Sequence, residues 1–234
     1  MQLTVREVGT FLNVSESTVT RWIKQRGLPA QQVNGQFRFN RSELLEWATA
    51  NQIKVSLEMF DHFDAEDEPA PSLADALEAG GIRYGLQATD KVGALRALVQ
   101  ILPLPDGIDR EFLLRLFLAR EASATTAIGG GIALPHVRNP IVLHVHRPMV
   151  TLCFLAQPVD FKALDGRPVH VLFSLICPAM RSHLQMLSRL SYVLHDAEFK
   201  DIVVGRQDRE NILQAARRVE ASIDVPAAEA GKAR

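Results

Sequence analysis

The sequence predicts an α/β domain over residues 72–225, preceded by a small unit of helices and a hairpin over residues 1–55. Three observations carry this. Capping and turn signals in the first stretch run in the order helix, turn, helix, hairpin, helix. Residues 56–71 then hold six acids and no Lys or Arg, with two prolines and no helical stripe, as a solvated linker would. Beyond them, apolar residues at helical spacing alternate with short β-branched and aromatic runs.

In the first unit, Thr4 and Glu7 have capping-box spacing. Ser15 is placed to cap a second helix, which Gly27 should end and Pro29 should not continue. Asn34-Gly35 signals a hairpin, because a type I′ turn needs φ > 0 at both central residues. Asn40 to Glu43 starts a third helix, with Leu44, Leu45, Trp47 and Ala48 as its apolar face. In the large domain, 90–102 and 109–119 read as helices, and 132–134, 149–155 and 169–176 as strands. Leu184, Leu187, Leu190 and Leu194 mark a helix over 183–194, and another covers 209–220. Residues 226–234 read as a flexible tail.

With 47% apolar residues the chain has material for a core. The net charge of −1 divides unevenly, with +3 over 1–55, −6 over 56–71 and +2 over the rest. Cys153 and Cys177 lie in separate apolar runs and read as buried thiols. The first residues show no signal pattern, and no apolar run approaches the roughly 18 residues that span a bilayer. A cytoplasmic protein without membrane insertion is expected.

On a wheel of about 100° per residue, Val19, Trp22 and Ile23 face inward. Ser17, Thr20, Arg21, Lys24 and Gln25 face outward, the split that a helix reading a major groove requires. The hairpin is then a wing, with Arg38 available to a phosphate or the minor groove. The stretch from Leu3 to Ala48 resembles the excisionase/MerR-like winged helix-turn-helix modules. That resemblance implies DNA binding through Ser17, Thr18, Arg21 and Arg38, with Lys24 beside them. One module of charge +3 neutralises few phosphates, so a homo-oligomer on DNA is expected.

The second chemical signal is Ala119-Arg-Glu through Ala127-Ile-Gly-Gly-Gly-Ile-Ala-Leu-Pro-His136. Three glycines precede a short apolar run, and Pro135 stiffens the chain before an imidazole expected at the surface. The glycines would let backbone N–H groups approach an anion. A neutral imidazole nitrogen is available near pH 7, and the N–P bond that it forms is labile. Phosphoryl transfer needs alignment and positive charge more than a general base. Arg120, expected to follow a helix and fold back over the site, and His183, near a helix N-terminus, are the candidates to supply them.

These residues lie in three motifs, AREASATTAIGGGIALPH, PVDFKALDGRPVHVLFSLICP and HLQMLSRLSYVL. In that order they resemble the phosphotransferase system IIA domains of the fructose–mannitol and nitrogen-regulatory type. The resemblance implies an α/β sandwich with a mixed sheet flanked by helices. It places the phosphorylated histidine on His136, the second active-site histidine on His183 and the arginine on Arg120. It implies HPr or a nitrogen-branch paralogue as donor and a carrier rather than a free-standing enzyme, while DNA as second partner follows from the helix-turn-helix resemblance. The alternative is a degenerate IIA-like domain that docks on a kinase or transporter without turnover. No cofactor is expected: Gly129 to Gly131 lacks the Lys and Ser/Thr of a P-loop. His144, His146 and the cysteines lack standard zinc spacing, so no metal is expected either. His144, His146, His170 and His195 read as surface or sheet residues.

Overall fold

The computed structural model describes residues 2–33, 35–55, 72–137 and 145–223. The linker at 56–71, the tail at 226–234, Asn34 and His144 fall outside them. The N-terminal unit comprises β1 (Gln2–Leu3), α1 (Val5–Phe11), α2 (Glu16–Gln25), β2 (Gln31–Val33), β3 (Gln36–Asn40) and α3 (Arg41–Ala50). The expected caps form. Thr4 and Glu7 make a reciprocal capping box, Ser15 accepts from Thr18 N–H, and Asn40 accepts from the amides of Ser42 and Glu43. Gly27 stands at φ +63°, where other residues are strained, and closes α2. β1 carries no signal of its own and exists because β3 pairs with it antiparallel, in the order β1-β3-β2.

The large domain contains α4 (Leu73–Gly80), β4 (Ile82–Leu86), α5 (Lys91–Ile101), α6 (Arg110–Ser123), β5 (Ala127–Gly129), β6 (Ile132–Ala133), β7 (Met149–Val159), β8 (Val169–Ile176), α7 (Met180–Val193), α8 (Ala197–Val204) and α9 (Arg209–Glu220). Its sheet runs β4-β7-β8-β6-β5. The β4/β7 and β6/β8 pairs are parallel, and β7/β8 and β5/β6 antiparallel, so the sheet is mixed. Side chains alternate across it. Leu152, Phe154, Val171, Phe173 and Leu175 pack toward α4, α7, α8 and α9. Cys153, Leu155, Val169, Leu172 and Ile176 pack toward α5 and α6. Each fully buried phenylalanine contributes about 1.5–3 kcal/mol.

Two elements run past the C-terminal ends that the sequence predicts, and α7 begins three residues earlier, at Met180. α6 continues to Ser123, because Arg120 and Glu121 extend the buried stripe of Leu113, Leu114 and Phe117 and no breaker intervenes. Arg120 therefore lies in the last turn of α6, not in the loop after it. β7 passes beyond Leu155 to Val159, with a register irregularity that accommodates Pro158.

The two units share one core. α3 lies against α7 and β5, and residues from Leu3 to Val55 belong to the same apolar cluster as the sheet face bearing Leu152 and Phe173. Gln52 donates to the Ile128 carbonyl at 2.8 Å, and the Lys54 ammonium sits 5.8 Å from the centre of the Tyr192 ring.

Candidate functional site

His136 stands three residues beyond β6 and makes an isolated parallel bridge with Leu175 of β8. Its Nδ1 lies 2.6 Å from the Leu134 carbonyl oxygen. A carbonyl only accepts, so Nδ1 carries the hydrogen and Nε2 is the nitrogen left for chemistry. Arg120 Nε is 3.3 Å from that Nε2. The guanidinium is fixed from behind, since Nη1 donates to the Ala124 carbonyl at 2.8 Å. Glu121 holds the turn that follows. Its carboxylate accepts from the Thr126 amide at 2.9 Å and hydroxyl at 2.6 Å, and it pairs with Lys91 at 3.2 Å.

His183 comes from the first turn of α7, its ring centre 5.3 Å from that of His136. It is 0% exposed, and neither ring nitrogen has a hydrogen-bond partner among the described residues. Burial first, then the neighbouring His136, pushes its pKa down to about 3. His183 is therefore neutral near pH 7, with one N–H and one lone pair unmatched. Two histidines and an arginine far apart in sequence thus meet at one point between β6, α6 and α7.

A fourth residue joins them that the sequence did not single out. The Glu46 carboxylate of α3 reaches Arg120 Nη2 at 2.9 Å through one oxygen and His136 Nε2 at 3.3 Å through the other. Its side chain is 7% exposed, and that of His136 3%. The imidazole expected at the surface is consequently buried, because the N-terminal unit covers it. The signal lay in Glu46, Thr49 and Ala50, at helical spacing beside the apolar face of α3. Glu46, Thr49 and Ala50 all line the space over His136.

The glycine turn is not part of this cluster. Gly129, Gly130 and Gly131 all have positive φ and turn the chain from β5 to β6. The anion held there is internal: Gly130 N–H donates to Asp165 at 2.8 Å, at the other end of β6 from His136. Gly131 is required by packing as well, since a Cβ there would lie 2.3 Å from the His170 ring.

Of the DNA-contact candidates, Ser17, Arg21 and Lys24 are exposed on α2. Thr18 is half-buried, its hydroxyl 3.0 Å from that of Ser15, which caps the helix. Arg38, on β3, donates to the Phe37 carbonyl and the Gln36 side chain. Val19 is buried, and Trp22 packs at 5.5 Å against Trp47, whose indole N–H donates to the Arg26 carbonyl. Among the described residues no helix is long and apolar enough to cross a membrane.

Comparison with known proteins falls on the same two regions. Residues 76–218 match the family described as phosphoenolpyruvate-dependent sugar phosphotransferase system, EIIA 2. Residues 3–52 match a helix-turn-helix domain. The chain is 37% identical over 113 residues to a nitrogen regulatory protein of Pseudomonas aeruginosa, covering 47% of this chain and 71% of that one. It is 31% identical over 125 residues to the fructose-specific EIIA component of Haloferax volcanii, covering 52% of this chain and 79% of the relative. The fold resembles that of nitrogen regulatory protein IIA-Ntr from Neisseria meningitidis, with a TM-score of 0.54 and 23% identity over 62% of this chain and 98% of that one.

Proposed function

The chain belongs to the EIIA 2 family of the phosphoenolpyruvate-dependent sugar phosphotransferase system and carries a helix-turn-helix domain, and from that premise we propose a nitrogen-regulatory-type phosphoryl carrier that accepts on His136 and regulates transcription. The observation that carries this reading is the geometry at His136, with Nδ1 2.6 Å from the Leu134 carbonyl oxygen, which can only accept, and Nε2 3.3 Å from Arg120 Nε. The Nε2 lone pair forms the new N–P bond. The electron pair of the donor's N–P bond stays with the donor imidazole, so no proton need move in the step. Positive charge appearing on the His136 ring is shared through Nδ1–H with the carbonyl. Arg120 balances the phosphoryl oxygens, and His183, neutral and desolvated, offers them an N–H.

The donor is HPr or its nitrogen-branch paralogue. Incubation with phosphoenolpyruvate, enzyme I and either carrier tests this by intact mass at neutral pH. One acid-labile phosphoryl group is expected, absent in His136→Ala. No gain with either donor refutes the reading.

The exposed face of α2 supplies the DNA contacts, with Arg21 and Lys24 on phosphates or base edges and the hairpin as wing. A homo-oligomer supplies the affinity that one module lacks. Arg21→Ala and Lys24→Ala are each expected to lower the slope of log affinity against log salt by about 1 if they meet phosphates. Salt titration of binding to duplex DNA measures it. Slopes and affinities both equal to wild type for the two variants would remove α2 from the interface.

A further inference from the structure

Glu46 comes from the helix-turn-helix unit, yet it touches the two groups that a phosphoryl group on His136 would touch. We propose that α3 is a built-in plug, with the Glu46 carboxylate standing in the phosphoryl seat, so that uptake of a phosphoryl group and docking of the DNA-binding unit exclude each other. The proposal rests on the reading of His136 as acceptor.

Four observations converge. The carboxylate spans Arg120 Nη2 and His136 Nε2, one oxygen on each, as a phosphoryl group bonded to Nε2 would place an oxygen against the same guanidinium. The space left over His136 is about 10 Å³, lined by Glu46, Thr49 and Ala50 from α3 and by Arg120 and Leu187. That is room for one water at most; the larger cleft beside it, about 800 Å³, reaches Glu46 and Arg120 but not His136, so Nε2 is closed while α3 is in place. His183 stays unpartnered and fully buried beside the seat. Its N–H is a donor that Glu46 leaves unused and that a phosphoryl oxygen could take. Finally, the docked plug is also fastened at points remote from the seat, by Gln52 on Ile128 and Lys54 over Tyr192.

The exclusion works in both directions. With α3 docked, Nε2 is covered and uptake proceeds only from the fraction of molecules in which α3 has lifted. Once phosphorylated, His136 presents a dianion where Glu46 returns as an anion, and like charges at that spacing oppose redocking. The outer face of α2, with Ser17, Arg21 and Lys24, is exposed even in the docked state. Phosphorylation therefore changes how the DNA-binding unit is tethered and oriented, rather than uncovering its recognition face.

Two donors separate this proposal from the reading beneath it. Phosphoramidate is small and bypasses protein docking, and the phosphoenolpyruvate, enzyme I and carrier mixture does not. Glu46→Ala is expected to take up the phosphoryl group at least about tenfold faster than wild type from both. Gln52→Ala, which loosens the plug without touching the seat, is expected to accelerate uptake less but in the same direction, and it keeps the test valid if Glu46→Ala folds poorly. Hydrogen exchange of peptides covering 44–53 and 127–134 is expected to rise when wild type is phosphorylated. Equal uptake rates in the three proteins, or unchanged exchange after phosphorylation, would overturn the plug while leaving His136 as acceptor. No uptake by any of them from either donor overturns both.

Discussion

In a protein carrying Arg120→Ala, phosphoryl uptake on His136 is expected to slow by about 10²–10³-fold, the usual cost of removing one charge-stabilising donor from a preorganised site. Arg120 is not a long side chain reaching in from solvent. It is 6% exposed, held by the Ala124 carbonyl at 2.8 Å, and needs no rearrangement to face the oxygens. Arg120→Lys keeps the charge and loses the fork that bonds Ala124 and the seat together, so it is expected to fall between alanine and wild type. One effect runs the other way. Arg120 also anchors Glu46 at 2.9 Å, so its loss loosens α3 and exposes Nε2. The two contributions separate in a double-mutant cycle with Glu46→Ala. With the plug already gone, Arg120→Ala reports only on stabilisation of the transferring group. Rapid-quench measurement of phosphohistidine gives the rates. A change smaller than about threefold in the Glu46→Ala background would remove Arg120 from the chemistry.

Much of this site was legible because its parts are written in local signals. Capping residues fixed α1, α2 and α3. The run from Ile132 through Pro135 put His136 beyond a strand, and the leucine spacing after His183 put that residue in the first turn of a helix. Arg120 was found for its chemistry but assigned to a loop, since nothing in a short window shows that the stripe of Leu113 and Phe117 continues through it. α4 and α8 went unread although Ser72 and Asp196 cap them. Both helices are eight residues long, too short for periodicity to stand out. β4 contains Gly85 at φ +74° and three exposed residues, so it gains its strand character from β7 rather than from propensity. Glu46 was the costly omission. It lies 90 residues from His136, and an acid in an amphipathic helix ordinarily faces water. Only docking of one unit on the other makes it part of the site.

The same long-range logic governs stability at the far end of the large domain. Glu220→Ala is expected to destabilise that domain by about 3–5 kcal/mol, as removal of one partner from a buried ion pair does. Glu220 is 5% exposed at the end of α9. One carboxylate oxygen accepts from Leu73 N–H at 2.6 Å and the other from Ala74 N–H at 3.1 Å. These are orphan amides at the start of α4 that need an acceptor. Ser72 adds a hydroxyl at 3.2 Å, and Arg189 of α7 pairs at 3.3 Å. The single carboxylate therefore caps α4, neutralises a guanidinium that is itself 6% exposed, and joins α4, α7 and α9 under the sheet. Alanine leaves Arg189 charged without that partner and two amides unsatisfied. Glu220→Gln keeps an acceptor for the amides and loses the charge, so it is expected to cost less than alanine. Chemical denaturation read by far-UV circular dichroism measures both, as a fall in midpoint at unchanged slope. Because α7 carries His183, loosening its contact with α9 also reaches the site. Phosphoryl uptake by Glu220→Ala is expected to weaken at temperatures where Glu220→Gln still holds the helix in place. Equal midpoints for Glu220→Ala and wild type would mean that α4 is capped and Arg189 neutralised without this carboxylate.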